Sequence, residues 1–392
     1  MHVLMKHCLF SLFTFISFIS CTSPQNKDRF ELVEKDDFLS FQIDDDVIPP
    51  KFCLWTFKDN GKEYLSFPNQ GDEVIVYDLE TQQLVKKIHY QKEGENGVGN
   101  IYSFYPVDFN HIYIANTSLP EVYLTDSAGR INDKIILNEM ENGGMISPVF
   151  LDVITYRPMY IFNDSIYFSQ MVNPSLGYEY WKHSPVGLIL DKKNHKIIPT
   201  PLVYHRTSEN ENLYQPTGID GGKVSGVFNG ESFVYSFNFQ DSIYQLSRNF
   251  KKITKVLAKS KYIEKVNGEL LPSDSDLEQI IKRTCELPAY GNIIYDPYRE
   301  VYYRFAFPAV KMNKERSYMD IYHSGRKQFS IIILDKNLNV VGETLFHEYT
   351  YNPYLLFVRE NGLYLCASHF KRTDYNENVL RFQRIELVKR SN

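Results

Sequence analysis

The chain has 392 residues with 43 basic and 48 acidic side chains, a formal net charge of −5, and 29 Tyr and 27 Phe against only 2 Trp. This composition excludes disordered, collagen-like and multi-pass membrane proteins, and the absence of a global positive field argues against a nucleic-acid partner. The chain exceeds the length at which one simple core stops growing, so we expect either two domains or one repetitive domain.

The first twenty residues have the pattern of an export signal. Lys6 precedes an apolar run that is too short to cross a bilayer. The run ends at Ser20 and Cys21, which resembles the lipobox of bacterial lipoproteins, where the cysteine receives diacylglycerol. We therefore expect residues 1–20 to be a lipoprotein signal peptide, Cys21 to anchor the protein to a membrane through lipid, and residues 21–37 to be a polar tether. An ordinary signal peptide beside a chance cysteine is the alternative.

Short strand-like runs rich in aromatic and branched residues dominate the chain after residue 38. Six copies of one hairpin pattern recur at intervals of 50 to 67 residues, with turns at Asn60, Asn110, Asn163, Asn229, Asp296 and Asn361. A second hairpin follows each of the first five copies, with turns at Asp78, Asp126, Asp191, Ser247 and Asp335. Two hairpins make a four-stranded sheet, so the sequence predicts an all-β, six-bladed β-propeller over residues 38–392.

Two segments depart from this repeat. Residues 275–285 predict one short helix inserted after the fourth blade, because Ser275 and Glu278 have the spacing of a capping box. The last repeat supplies only three strands before the chain ends. The strand-like run at residues 38–43 is therefore expected to complete the sixth blade as its outermost strand and so to close the ring.

A lipobox followed by six repeats with outer hairpins such as DLETQQLVKKI resembles the six-bladed β-propeller lipoproteins of Bacteroidetes, which are similar to TolB and NHL propellers. The resemblance covers nearly the whole chain after the signal. It implies the propeller fold and a place in the cell envelope, anchored by lipid. It does not imply a reaction, because one fold supports many functions.

The longest connections are expected on one face of the propeller, and loops on a rigid scaffold are where binding residues concentrate. One such loop contains aromatic side chains able to stack on a sugar ring, namely Tyr178, Tyr180 and Trp181. The loops of blades five and six supply cations, including Arg304, and the candidates to orient anionic or hydroxyl groups are Arg326, His347 and Arg372. These residues favour a scaffold that binds a glycan or an envelope protein. Solvated loop surfaces are the alternative interpretation.

A second hypothesis is a divalent-cation-dependent hydrolase, similar to lactonases or esterases. Six-bladed lactonase propellers hold a cation through oxygen ligands near the innermost strands. The candidate ligands here are Asn100, Asp152, Asp220 and Glu348, and such hard oxygen donors suit calcium or magnesium. Because acidic and amide residues are frequent in any loop, the sequence favours a binding module without a cofactor.

The cysteines support no further chemistry. After export and lipid attachment only Cys53, Cys285 and Cys366 remain, too few for a disulfide framework. Cys53 and Cys366 lie within apolar strand patterns, so we expect them to be small buried side chains.

Overall fold

The strands form six four-stranded antiparallel sheets. The structure, a computed structural model, describes residues 29–115, 121–136, 153–162, 164–170, 184–194, 196–204, 224–266 and 276–390. In five of the sheets the four strands follow each other along the chain, and the first strands of several successive sheets contact each other. The all-β, six-bladed propeller is therefore confirmed.

The strand bounds follow the predicted repeat. In chain order they are β1 Phe30–Gln42, β2 Trp55–Asp59, β3 Lys62–Asn69, β4 Glu73–Asp78, β5 Leu84–His89, β6 Phe104–Asp108, β7 His111–Ala115, β8 Glu121–Thr125, β9 Ile131–Ile136, β10 Tyr160–Phe162, β11 Ser165–Ser169, β12 Gly187–Asp191, β13 Lys196–Pro199, β14 Val224–Phe228, β15 Ser232–Phe237, β16 Ser242–Ser247, β17 Ile253–Leu257, β18 Ala289–Asp296, β19 Val301–Phe307, β20 Ser330–Leu334, β21 Val340–Leu345, β22 Asn352–Arg359, β23 Gly362–Cys366 and β24 Val379–Lys389. Blades one to five contain four consecutive strands each, starting at β2, and blade six contains β22, β23, β24 and β1. First strands of successive blades contact each other at β2 and β6, β14 and β18, and β18 and β22.

Local turn chemistry explains the repeat seen in the sequence. The Asp78 carboxylate accepts the backbone N–H groups of Glu80 and Thr81 at 2.9 and 2.8 Å. The same side-chain-to-backbone turn is made by Asp126, Asp191 and Asp335. Blade four uses Ser247, whose hydroxyl accepts the N–H of Lys252 at 3.0 Å. Short polar side chains that bind nearby backbone stabilise such turns, so Asp or Ser recurs at this position in blades one to five.

Burial follows the position of each strand in its blade. Every residue of β19 and β20 is buried, because blades pack face to face on both sides of the middle strands. The outermost strand β17 alternates between exposed and partly exposed residues, and its Ile253 and Leu257 are exposed. The hydrophobic core therefore lies between blades and contains many of the aromatic side chains.

The N-terminal strand closes the ring. β1 pairs antiparallel with β24, from Phe30 opposite Lys389 to Gln42 opposite Val379, so the outermost position expected for residues 38–43 is confirmed. The strand begins at Phe30, however, and not at residue 38. The charged run before residue 38 looks like a tether in the sequence, but an outermost strand can expose charges to solvent and pair them with its neighbour. Arg384 binds Asp37 at 2.5 Å, and Arg390 binds Glu31 at 2.8 Å.

Two helices occur among the described residues, where the sequence predicts one. Helix α1, Leu277–Glu286, lies between blades four and five as expected, and its N-cap is Asp276, which accepts the N–H of Gln279 at 2.7 Å. Ser275, the expected cap, lies outside the described residues. Helix α2, Tyr318–His323, is too short to produce a recognisable periodicity, and it packs on α1 through a shared apolar cluster. Neither helix is long and apolar enough to span a membrane.

The described cysteines form no disulfide. Cys53, Cys285 and Cys366 are all buried, which confirms the expectation for Cys53 and Cys366. Burial raises the pKa of Cys366 to about 11, so its thiol is protonated at neutral pH.

Candidate functional site

The propeller has two unlike faces. In blades one to five, tight turns join the first strand to the second and the third strand to the fourth. These turns emerge on the same face, for example at residues 60–61 and 297–300. We call this the tight-turn face. The remaining connections emerge on the opposite side, which we call the long-loop face, and they include 43–54, 90–103 and 308–329. The predicted segregation of long loops is confirmed for these connections.

A cavity of about 560 Å³ opens on the long-loop face, where chain segments lead into the innermost strands. We call it the funnel. Its walls come from five segments, which are residues 48–53, 68–71, 101–102, 154–157 and 322–323. The volume is in the range of small-molecule binding sites. The funnel is therefore the strongest binding-site candidate in the described part of the chain.

Aromatic rings form much of the funnel wall, which includes Phe52, Tyr102, Tyr156 and Tyr322. The Phe52 ring packs edge-on against His323, with centroids 5.2 Å apart. Tyr102 is 60% exposed, so a ligand can reach its ring. Exposed aromatic faces in a concave site provide stacking surfaces for flat or ring-shaped ligands.

The charge of the funnel is positive. Arg157 lines it at 1% exposure, and its guanidinium lies 5.0 Å from the centroid of the Tyr156 ring. Lys51 lies at the rim and is exposed. None of the described residues that line the funnel has a carboxylate. The site therefore favours an anionic ligand, because partly enclosed charges of one sign attract the opposite sign.

Hydrogen bonds fix the funnel walls before any ligand arrives. The Thr155 hydroxyl accepts the N–H of Leu54 at 3.0 Å and contacts the Leu54 carbonyl at 2.9 Å. The N–H of Val153 donates to the Ser103 hydroxyl at 2.7 Å. The loop that leads into blade three is thereby tied to those leading into blades one and two. Such pre-organisation reduces the entropy lost when a ligand binds.

Arg326 lies in the interior next to the funnel and not on its rim. It lines a cavity of about 30 Å³ together with Tyr156, which also lines the funnel. Its guanidinium is 4.7 Å from the Phe307 centroid, and Nη1 donates to the Leu287 carbonyl at 3.1 Å. The cavity has room for about one water molecule. A direct role of Arg326 in binding stays a prediction.

His347 and Arg372 do not line the funnel or this small cavity. The Arg372 guanidinium binds both carboxylate oxygens of Asp374, with N–O distances of 2.7 and 3.0 Å. His347 is exposed on the connection between blades five and six. Arg304, counted among the loop cations, is completely buried between blades four and five. The expected cationic set is therefore not gathered in one place.

The remaining candidates do not meet at one site in the described structure. Six of them lie outside the described residues, namely Tyr178, Tyr180, Trp181, Asp152, Asp220 and Cys21. Asn100 is exposed beside Gly71, and Glu348 pairs with Lys327 at 3.3 Å. Across the described ranges no group of three or more His, Cys, Asp or Glu side chains converges to hold a metal. The calcium hypothesis stays untested. Phe52, Tyr102 and Arg157 were not among the predicted site residues. The signal that they share is their place shortly before an innermost strand.

A second cavity of about 410 Å³ adjoins the funnel and shares Lys51 and His323 with it. Its outer wall is the loop of blade six that contains His369, which is fully buried. The His369 Nδ1 accepts the N–H of Lys371 at 3.2 Å. Burial, with the charges of Lys371 and Arg372, lowers the pKa of His369 to about 4. The imidazole is therefore neutral in the folded protein at physiological pH.

This histidine should make stability depend on pH. Between pH 6.5 and about 4 the unfolded chain binds a proton at His369 that the folded protein does not, so the free energy of unfolding falls as the pH falls through this window. The loss should be on the order of 3 kcal/mol at most. Urea unfolding at pH 7 and pH 4.5 measures it, and His369→Gln should remove most of this difference. An unchanged pH dependence in the variant would contradict the assignment.

Comparison with known proteins agrees with the fold. The model of a domain of unknown function, DUF4221, matches residues 29–345. A solved DUF4221 family member from Bacteroides vulgatus is 26% identical with a TM-score of 0.79, and the match covers 93% of this chain and 99% of that chain. A protein from Bacteroides fragilis described as a candidate for export is 11% identical with a TM-score of 0.53, covering 93% and 98% respectively, which shows the fold alone.

No curated protein matches the sequence. The relatives from Bacteroides confirm the resemblance to Bacteroidetes propellers. Because the family model matches well over half of the residues, this chain belongs to the DUF4221 family.

Proposed function

We propose that this protein is a lipid-anchored binding protein of the cell envelope, and that its funnel binds an acidic glycan. The observation that carries the proposal is the combination of aromatic rings and cationic side chains around one cavity of about 560 Å³. The export signal and the cysteine at position 21 support the envelope location.

The two kinds of side chain suit the two parts of an acidic sugar. The apolar C–H face of a pyranose ring stacks on an exposed aromatic ring such as Tyr102. A carboxylate or sulfate on the sugar is attracted by Lys51 at the rim and by the buried charge of Arg157. A neutral glycan would use only the first of these interactions, so the site should select for negative charge.

Calorimetric titration with a uronic-acid oligosaccharide and its neutral counterpart tests the proposal. Tyr102→Ala should weaken binding of both sugars by about tenfold, or about 1.4 kcal/mol, because it removes a stacking surface. Lys51→Gln should weaken only the acidic sugar, by roughly threefold to fivefold, as expected for a solvent-exposed ion pair. Both side chains are exposed, so the variants should fold normally.

The tight-turn face provides matched controls. Tyr298 is 46% exposed there, and Lys336 is also exposed. Tyr298→Ala and Lys336→Gln should bind both sugars as the wild type does. Equal binding by Tyr102→Ala and Tyr298→Ala would overturn the proposed contact. Cleavage of a glycan, lactone or ester that EDTA abolishes would favour the hydrolase hypothesis instead.

A further inference from the structure

We propose that the tight-turn face of the propeller lies against the membrane, so that the funnel points away from the lipid. The partner is the anionic surface of a lipid bilayer. This inference rests on the proposed lipid anchor at Cys21, and it adds the orientation that the fold imposes on an anchored protein.

The direction of β1 decides where the anchor is attached. The strand ends at Gln42 and continues into connection 43–54 on the long-loop face, so its first residue, Phe30, lies at the tight-turn face. The chain is fixed at this point on both sides. The Arg29 N–H donates to the Val341 carbonyl of blade five at 2.7 Å, and the Arg29 carbonyl accepts the Arg390 N–H at 2.9 Å.

The length of chain before this point limits the reach of the anchor. Eight peptide units separate Cys21 from Arg29. Fully extended, they span at most about 29 Å. Because of a bulge between Glu34 and Phe38, β1 runs along only ten residue steps of β24, which is about 33 Å from one face to the other. The tether is therefore shorter than β1, so a lipid on Cys21 is held nearer to the tight-turn face than to the long-loop face.

A local excess of positive charge on blades three and four of the tight-turn face favours the same orientation. The outer turns of blades three and four expose a cluster of cations, which are Lys193, Arg248, Lys251 and Lys252. The turns of the same two blades also carry the carboxylates of Asp164, Asp191 and Glu231, so the local balance stays positive. Blades three and four lie across the ring from blade six, which carries the anchor. The lipid would hold one side of the propeller at the membrane, and the cations would hold the other side. Each cation contributes about 1 kcal/mol near an anionic surface.

Fluorescence quenching in vesicles tests this orientation. The full-length lipidated protein is placed in vesicles of anionic phospholipid with nitroxide-labelled headgroups, and single cysteines carry a fluorophore. Ala128→Cys and Glu231→Cys report on the tight-turn face, and Glu95→Cys and Glu377→Cys on the long-loop face. The native cysteines of the described propeller are buried and should not be labelled.

We expect roughly twofold or stronger quenching at Ala128 and Glu231 and none at Glu95 and Glu377, because the tether keeps one face near the lipid. Replacing Lys251 and Lys252 by Glu should reduce the quenching of the label at position 231. Quenching of the labels on the long-loop face would overturn the orientation. So would the absence of quenching at every label in protein that stays on the vesicles.

The anchor itself is tested separately by Cys21→Ala. The variant should lose fatty-acid labelling and should remain in solution when vesicles are sedimented. Sedimentation equal to that of the wild type would overturn the lipid anchor and the argument from tether length. If Cys21→Ala no longer sediments with the vesicles, but the long-loop labels of the lipidated protein are quenched, the orientation alone would be overturned.

Discussion

Replacing Arg304 by Met should lower the free energy of unfolding by about 4 kcal/mol and Tm by roughly 5 °C. The side chain is fully buried in blade five and reaches into blade four. Its Nη1 donates to the carbonyls of Asp241 and Ala258 at 2.9 and 2.7 Å, and its Nη2 donates to the Gln240 carbonyl at 2.5 Å. Methionine would leave these three buried acceptors without their donor.

The guanidinium also stacks on Tyr290 at 3.7 Å from the ring centroid, and its Nε donates to the Ser236 hydroxyl at 3.0 Å. Burial lowers the pKa of Arg304 to about 10, so the side chain still carries its charge at neutral pH. Arg304→Lys should recover only part of the loss, because one ammonium cannot reproduce the planar set of donors.

Thermal and urea unfolding of both variants measure the effect. Arg130→Met is the matched control, since that guanidinium is 77% exposed and pairs with Asp126 on the surface. It should change stability by no more than about 0.5 kcal/mol. If Arg304→Met were as stable as Arg130→Met, the buried arginine would not hold the two blades together.

Deleting residues 24–44 should open the ring and lower Tm more than any single substitution, because blade six loses its outermost strand. The deletion removes the whole ladder between β1 and β24. It also removes Phe41, which is fully buried and packs edge-on against Tyr77 of blade one and Phe382 of blade six, with centroids 5.3 and 6.1 Å away. Phe41→Ala alone should cost about 3 to 5 kcal/mol.

Deletion of residues 22–28 is the control for this experiment, because the described strand begins after them. It should leave the unfolding transition unchanged. A melting curve that is the same for the wild type and the longer deletion would show that β1 does not close the ring in solution.

The sequence alone determined the number and order of the blades, because the signals that mark them act locally. Asp78 and its equivalents bind backbone groups only two to four residues further along the chain, so each turn leaves the same mark in the sequence. The strand that closes the ring was also predictable, since the last repeat lacks one strand and residues 38–43 supply an apolar run.

The start of that strand was not predictable, because its charged half is stabilised by partners far along the chain. Asp37 and Glu31 pair with Arg384 and Arg390, more than 340 residues away. Helix α2 was missed for a similar reason: six residues carry too little periodicity, and the helix is held by packing on α1.

Tertiary structure alone decided which cations are interior and which residues form the site. Arg304 and Arg326 look like surface charges in the sequence, but acceptors and rings from other segments surround both side chains. Phe52, Tyr102 and Arg157 share no motif and come from three different connections. They meet because the innermost strands converge at one end of the ring. Each residue lies shortly before an innermost strand, but the amino-acid order does not show which of the residues at such positions line a common cavity.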